Sequence, residues 1–480
     1  MSQSRGASAA KRVLSTGIAI VLAGFSLVAY FSGNGGQPAT AAEGKGGRAG
    51  GRQRPNVLVV LTDDQRDRGT MGVMKETRRL FRDGGVSFEN AFATTPVCCP
   101  SRATVFTGQY VHNHGLLTNG ESDLPQEETV QRYLNNAGYQ TGIFGKYLNT
   151  WDIEDRPPHF DKWAIYKNSS QVYGRTTWNV RGKLTEVSDY PARFIQRRAV
   201  GFLRNHTEER DRKPWFMFLA PPNPHLPAKP DRKHRKADVP KFNGNPASKE
   251  KSRRDKPPYV RARSSSQRRA RKISRRQLRS LLSVDRLVKR VTGRMERLDE
   301  TRNTLVFFLS DNGFLWSEHK ILGSLRSKQN PYTDSVQIPM FLRWPKKIGR
   351  FRSDERYVTT VDVAPTIMHA ASLRTDPGHP MDGRSLLRRS WNRRKVFLEF
   401  FKTPRGKVPQ WKSIRTPKYQ YVEYYDDSGN VSFREYYDMK NDWWQLRNMF
   451  NDGDPLNDPN ETKLGNKIDR FEDCVGNGCP

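Results

Sequence analysis

Cysteine is scarce in this chain, with four in 480 residues. That excludes a small domain held together by a disulfide framework. Long apolar runs are scarcer still. Only the segment from Val13 to Phe31 approaches the length of a bilayer crossing, so a polytopic membrane protein is excluded. Acidic residues are in deficit, 50 Asp and Glu against 83 Lys and Arg, for a formal net charge of +33 and a pI near 10.2. No internal repeat or heptad pattern is visible. What is present is a steady supply of aromatics, 24 Phe, 17 Tyr and 10 Trp, which argues against disorder throughout. The length suits roughly two to four domain-sized units, or one large catalytic domain with a satellite, and buries a core without covalent staples. The positive excess favours an anionic partner: nucleic acid, acidic polysaccharide, sulfated substrate or anionic membrane. A solvated basic surface is the competing explanation.

Lys11 and Arg12 precede the apolar segment, and small residues follow it up to Ala39-Thr40-Ala41-Ala42. A basic start, an apolar middle and an Ala-x-Ala site describe a signal peptide over 1–41, cleaved near Ala41, and hence a secreted, extracellular protein. An uncleaved membrane anchor is the alternative. Lys11-Arg12 is not a twin-arginine pair, so the export route stays open. Residues 42–54 read as a flexible Gly-rich linker. In an oxidising compartment Cys474 and Cys479 pair as a local disulfide that pins the tail, with two free thiols as the alternative. Cys98 and Cys99 are neighbours; a bridge between them would be strained, and they need another explanation.

Four apolar runs end in loops crowded with polar residues. Asn56–Leu61 leads to Asp63-Asp64, Thr141–Phe144 to Gly145-Lys146-Tyr147, Trp215–Ala220 to Pro224-His225, and Thr304–Leu309 to Asp311-Asn312-Gly313. Such runs read as strands buried on both faces. Helical patterns lie between them, for example Val130–Ala137 and Tyr190–Arg204. The alternation predicts an α/β fold with a mostly parallel sheet, which binds ligands beyond the carboxyl ends of its strands. Each cluster alone could be turn chemistry; four at the same kind of position point to a site. Residues 229–297 stand apart, with 25 Lys and Arg against 6 Asp and Glu. The segment 229–272 reads as a basic loop insertion and Ser274–Leu298 as an amphipathic helix. From 396 to 480 the pattern changes: Val396–Phe401, Tyr419–Tyr425 and Val431–Tyr437 read as antiparallel strands, the last two joined by a hairpin turn. This predicts a smaller C-terminal α+β subdomain after a catalytic domain over 55–395.

The sharpest motif is Cys98-Cys99-Pro100-Ser101-Arg102 followed by Thr107-Gly108. It resembles the signature C-x-P-S-R of the formylglycine (type I) sulfatases, with the family's downstream T-G. The resemblance implies that Cys98 is oxidised to formylglycine, by a formylglycine-generating enzyme during maturation, and that Cys99 is the variable position. The chemistry needs this. The hydrated aldehyde carries two hydroxyls: one attacks sulfur, and the other expels sulfate by reforming the C=O. A plain Ser or Cys would stay blocked by covalent sulfate.

The other clusters match the family pattern in turn. Asp63, Asp64, Asp311 and Asn312, with an oxygen of residue 98, would form an all-oxygen cage for one divalent ion, better suited to Ca²⁺ than to Zn²⁺. Lys146 resembles the family's G-K lysine. Leu148 stands where the commoner G-K-W-H form has His, so no His role carries over there. Gly145–Asn149 (GKYLN) and the doubled cysteine are instead like the glucosamine-6-sulfatase and heparan-endosulfatase branch. Pro224-His225-Leu226-Pro227 resembles P-H-x-P, which implies that His225 protonates the leaving alcohol. Lys328, in Lys328–Tyr332, resembles the second sulfate-binding lysine, with Lys320 as its rival. Arg102 would add to the positive clamp on sulfate. His112 and His114, just beyond the motif, read as structural or as residues that support the site from behind.

The resemblance runs from about Pro55 to the end and implies the alkaline-phosphatase-like fold, a large mixed sheet flanked by helices with a small antiparallel C-terminal subdomain. It implies a secreted hydrolase of sulfate esters, with a sulfated sugar or polysaccharide as substrate. A phosphoesterase or phosphonate hydrolase on the same scaffold and a basic polyanion-binding protein are the alternatives. Nucleic acid becomes a minor partner, and a membrane matters only if the N-terminal segment stays uncleaved. The site accounts for few of the positive charges; most of the excess lies in 229–297, read as a basic rim.

Overall fold

The four apolar runs become the middle of a ten-stranded sheet. The computed structural model describes residues 54–121, 123–167, 172–208, 213–403 and 406–480. The signal segment expected over 1–41 and all but the last residue of the expected linker lie outside them. In chain order the strands are β1 (Asn56–Thr62), β2 (Gly85–Phe92), β3 (Gln140–Gly145), β4 (Lys162–Tyr166), β5 (Thr176–Val180), β6 (Lys183–Val187), β7 (Trp215–Ala220), β8 (Thr304–Ser310), β9 (Met340–Arg343) and β10 (Arg352–Thr359). Their spatial order is β10-β2-β9-β8-β1-β7-β3-β4-β5-β6. β8, β1, β7, β3 and β4 run parallel, whereas β9 and the β5–β6 hairpin are antiparallel to their neighbours, so the sheet is mixed.

The central strands are apolar throughout because both of their faces are covered. Val57, Val59 and Leu61 of β1 point into one core and Leu58 and Val60 into the other; β7 and β8 alternate in the same way. One face is covered by helices Cys98–Thr107, Val130–Asn136 and Val363–Ala370, the other by Lys75–Arg82, Pro191–Glu208 and Gln267–Arg297. The result is a three-layer α/β/α body.

The long basic helix begins at Gln267, seven residues before the start expected from its apolar spacing, and so takes in the last six residues of the loop expected over 229–272. The added stretch is Gln, Arg, Arg, Ala, Arg, Lys and Ile, good helix formers with too few apolar residues to show a period. Its buried stripe, from Ala270 and Ile273 to Met295, belongs to the apolar core on that side of the sheet.

A second, antiparallel sheet is formed by β11 (Val396–Phe400), β12 (Gln410–Arg415), β13 (Tyr419–Tyr425) and β14 (Val431–Asp438). Val396, Leu398, Trp411 and Tyr424 on one face meet Phe92, Val97 and Tyr357 of the main body. Phe397, Ile414 and Tyr421 on the other meet helix Glu461–Glu472. Cys474 and Cys479 form a disulfide.

Candidate active site

Adjacency in the sheet brings the four polar loops together. β8, β1, β7 and β3 are consecutive parallel strands, so their carboxyl ends share one edge of the sheet about 14 Å wide. The backbone continues this alignment beyond the strands: Asp311 N–H donates to Thr62 O at 3.0 Å, Asp63 N–H to Asn223 O at 3.1 Å, and Lys146 N–H to Ala220 O at 2.9 Å. Two glycines permit the close approach. A Cβ on Gly145, whose φ is +123°, would lie 2.1 Å from Ala220 O, and one on Gly313 would lie 2.4 Å from Asp334 O. The glycines of G-K and D-N-G are thus where neighbouring loops press against the backbone.

Helix Cys98–Thr107 supplies the centre. Cys98 is its first residue, and its Sγ lies 3.3 Å from Asp63 Oδ1, 3.9 Å from Asp64 Oδ1 and 3.7 Å from Asn312 Oδ1. Lys328 Nζ is 2.9 Å from the same sulfur and 2.7 Å from Asp64 Oδ1. Lys146 Nζ donates to Asp63 Oδ2 at 2.7 Å. One turn along the helix, Arg102 holds Asp311 Oδ2 through two N–H groups at 3.0 and 2.9 Å. Ser101 Oγ donates to Asp311 O at 2.5 Å, tying the helix to the end of β8. His225 Nδ1 donates to Leu226 O at 2.6 Å, which leaves Nε2 turned to the cage, 3.7 Å from Asp64 Oδ2. Its side chain is 28% exposed while the other charged groups here are at most 4%, so the site opens at His225.

Burial and crowding set the charges. Burial would raise the Asp63 carboxyl, but Lys146, His225, Arg102 and Lys328 outweigh it and hold it well below the usual range. Asp311 moves the other way: burial, then the Asp63 charge, push it up to about 6 against the pull of Arg102. Burial would lower both lysines, yet Asp63 keeps Lys146, and Asp64 keeps Lys328, above the ordinary value. The Cys98 thiol is driven well up by burial and then by Asp63. Burial lowers the His225 imidazole, with Asp64 and Asp63 opposing.

All nine residues singled out in the sequence therefore meet at one place: Asp63, Asp64, Cys98, Arg102, Lys146, His225, Asp311, Asn312 and Lys328. The rival Lys320 does not; its Nζ donates to Ser248 O at 2.7 Å. His112 is held by Glu399 at 2.9 Å and by Cys474 O at 3.2 Å, and His114 by Thr104 at 3.2 Å, all away from the cage. Cys99 Sγ accepts the Asn149 N–H at 2.9 Å and so steadies the loop after Lys146. Sequence reasoning missed the supports of His225. Tyr173 Oη lies 2.9 Å from both Pro222 O and His225 O and shares its one proton between them, and Gln277 Nε2 donates to Pro224 O at 3.2 Å. Both are remote in sequence and carry no motif.

The donor set fits a metal. Single ligand atoms of Asp63, Asp64, Cys98 and Asp311 all lie within 4.8 Å of one another, and the buried Asp64 Oδ2 has no hydrogen-bond partner. A cation would satisfy that orphan oxygen and offset the crowded carboxylates.

Comparison with known proteins agrees with this geometry. The family model described as Sulfatase matches residues 55–373, and the model described as N-sulphoglucosamine sulphohydrolase, C-terminal, matches 324–472. The chain is 33% identical over 354 residues to the extracellular sulfatase SULF-1 homolog of Drosophila melanogaster, covering 70% of this chain and 31% of that protein. It is 30% identical over 371 residues to N-acetylglucosamine-6-sulfatase of Homo sapiens, covering 71% and 65%. The chain thus spans between about a third and two thirds of the length of these relatives. A solved structure of a protein in complex with its substrate D-glucosamine-2-N,6-O-disulfate superimposes with a TM-score of 0.75 at 21% identity, covering 87% of this chain and 97% of that one. That likeness speaks for the fold, the alkaline-phosphatase-like arrangement. With the family model spanning well over half of its length and the motifs of that family converging on one buried cage, the chain belongs to the sulfatase family.

Proposed function

We propose that the chain is a secreted enzyme that hydrolyses sulfate esters of a sulfated sugar or polysaccharide. The observation that carries the reading is residue 98, which begins a helix among three carboxylates, with Lys328 2.9 Å from its sulfur. The family implies, in general, a formylglycine residue and a divalent metal. An unmodified thiol here is neutral and a poor nucleophile, because burial and Asp63 raise its pKa. As formylglycine, residue 98 would supply a hydroxyl nucleophile that can later be freed of sulfate. Conversion would require the formylglycine-generating enzyme as a maturation partner.

Asp63, Asp64, Asp311 and Asn312, with residue 98, would hold one Ca²⁺, since carboxylate and amide oxygens suit a hard cation. When bound, that ion supplies a Lewis acid that draws charge from the sulfate oxygens and activates the nucleophile. Lys146 and Lys328 bind and orient the sulfate from two sides, and Arg102 fixes the Asp311 carboxylate while adding positive charge beneath the site. The His225 Nδ1–H bond to Leu226 O sets the ring and turns Nε2 to the open side. Nε2 can give a proton to the leaving alcohol oxygen only from the imidazolium form, which burial opposes and the Asp64 and Asp63 charges favour. Secretion draws support from the Ala-x-Ala segment and from the extracellular relative, and a sugar substrate from the named relatives. Among the described residues no helix is long and apolar enough to cross a membrane.

The test is turnover of an aryl sulfate against an aryl phosphate, with mass spectrometry of the peptide carrying Cys98 from the native host. We expect aldehyde at residue 98 and preference for sulfate. A phosphate preference would favour the phosphoesterase or phosphonate hydrolase alternative. A bare thiol without turnover would favour a polyanion-binding protein.

A further inference from the structure

The long helix Gln267–Arg297 runs against the direction of the central strands. Just beyond its carboxyl end, the Glu300 carboxylate accepts hydrogen bonds from Asn56 and from Trp215 Nε1, at the starts of β1 and β7. Further up, Asn223 Nδ2 donates to Ser280 O at 3.2 Å and Trp316 Nε1 to Gln277 Oε1 at 2.5 Å, beyond the ends of β7 and β8. The ten residues from Gln267 to Arg276 therefore extend about 15 Å past the level where the helix meets the site loops, on the side where the site opens.

This overhang is anchored and basic. Gln267 Nε2 donates to Ser248 O at 3.0 Å, and Ser265 shares a 2.5 Å bond with Ser317. Arg268, Arg269, Arg271, Lys272, Arg275 and Arg276 are all exposed, and none has a salt-bridge partner among the described residues. Three of the four acidic residues between 229 and 276 are engaged elsewhere, Asp231 with Arg193, and Glu250 and Asp255 with Lys256; Asp238 is the one exposed carboxylate there, against the six exposed cations of the overhang. The positive surface continues to the catalytic cage. Arg326 is exposed two residues before Lys328, and burial, then the charge of Arg326, lower the pKa of Arg263, which stands just ahead of the helix.

We infer that this ridge is a docking surface for a linear sulfated polysaccharide, so that the substrate is a polymer held well beyond the sulfate being cleaved. The inference deepens the proposed sulfatase reading and rests on it for the identity of the substrate. Unpaired cations along one face attract a polyanion over a distance set by ionic strength. The exposed side chains from 264 to 276 include no aromatic ring on which bases would stack and no large apolar residue to enter a bilayer, which disfavours single-stranded nucleic acid and membrane.

The test compares the native enzyme with Arg268→Gln/Lys272→Gln/Arg275→Gln and with a control, Lys346→Gln/Lys347→Gln/Arg350→Gln, that removes the same charge elsewhere. Immobilised heparin, sulfate release from heparin and aryl sulfate turnover are the readouts. The ridge variant should elute from heparin at clearly lower salt than the native enzyme or the control. Its KM for heparin should rise at least fivefold, with kcat and aryl sulfate kcat/KM within twofold. Unchanged elution and KM, equal loss in the control, or tighter binding of duplex DNA or phosphatidylserine vesicles than of heparin would each overturn the proposal. Elution requires no turnover, so it tests the ridge even if the sulfatase reading fails. A failed ridge leaves aryl sulfate turnover intact.

Discussion

Cys98 and Cys99 are both buried and adjacent, yet they face different tasks. Cys98 Sγ lies in the cage, whereas Cys99 Sγ only accepts the Asn149 N–H. Cys98→Ala should abolish aryl sulfate hydrolysis, while Cys99→Ala keeps most of it; equal loss in both would move the nucleophile elsewhere. The lysine pair separates in the same way. Lys328→Ala removes a cation from the cage and should lower kcat by about 10²-fold or more, by analogy with loss of one oxyanion donor. Lys320→Ala removes only a bond to Ser248 and should leave kcat nearly unchanged in the same assay. His114 gives a pH prediction. Burial, then the charge of His112, lower its pKa to about 3, and Leu116 N–H donates to its Nδ1 at 3.1 Å, fixing a neutral ring. The unfolded chain takes up a proton near pH 6.5 that the native state refuses, so stability falls as pH drops below 6.5 towards 3. Between pH 6.5 and 5 that is about 1.6 kcal/mol. Denaturant unfolding at the two pH values should show a smaller loss for His114→Gln. The cage residues were legible in the sequence because each sits in a short motif with a chemical reason for its spacing. Tyr173 and Gln277 were not, because they reach His225 only through the tertiary fold.

At the scale of elements, the strands that carry the site were the readable ones. β1, β3, β7 and β8 are buried on both faces, and continuous apolar sequence is the trace of that burial. β5, β6 and β10 lie at or near the sheet edges and mix polar with apolar residues, so their sequences give no such trace. The long helix was readable only along its buried stripe; its overhanging first turns rest on local propensity. Gly145 tests how tightly the central elements are joined. Gly145→Ala would force a Cβ against Ala220 O in a backbone conformation that suits glycine. The backbone of β3 or β7 would have to shift, and with it Lys146. Loss of more than about 3 kcal/mol in unfolding free energy, or a folded variant with much reduced kcat, is expected. A variant as stable and as active as the native chain would contradict the close packing of β3 on β7.

For the whole molecule, the cage joins the ends of β1, β3, β7 and β8, the helix that begins at Cys98, and the loop bearing Lys328. Without a cation, its carboxylates are still paired, Asp63 with Lys146, Asp64 with Lys328 and Asp311 with Arg102. Chelation should therefore leave the protein folded but less stable, rather than unfold it. A ligand that binds only the native state at about 100 times its Kd adds about 2.7 kcal/mol. For a folded body of this size the unfolding entropy is of order 0.9 kcal/mol per kelvin, so the midpoint should fall by about 3 °C with a chelator. Excess Ca²⁺ should restore it better than Mg²⁺, which demands a small octahedral site, or Zn²⁺, which prefers nitrogen and sulfur ligands. Asp64→Asn should remove most of the calcium response while the chain remains folded, because the orphan oxygen that calls for a cation belongs to Asp64. A midpoint indifferent to chelator and to Ca²⁺, in protein shown by elemental analysis to change its metal content, would disconnect the cage from the stability of the fold.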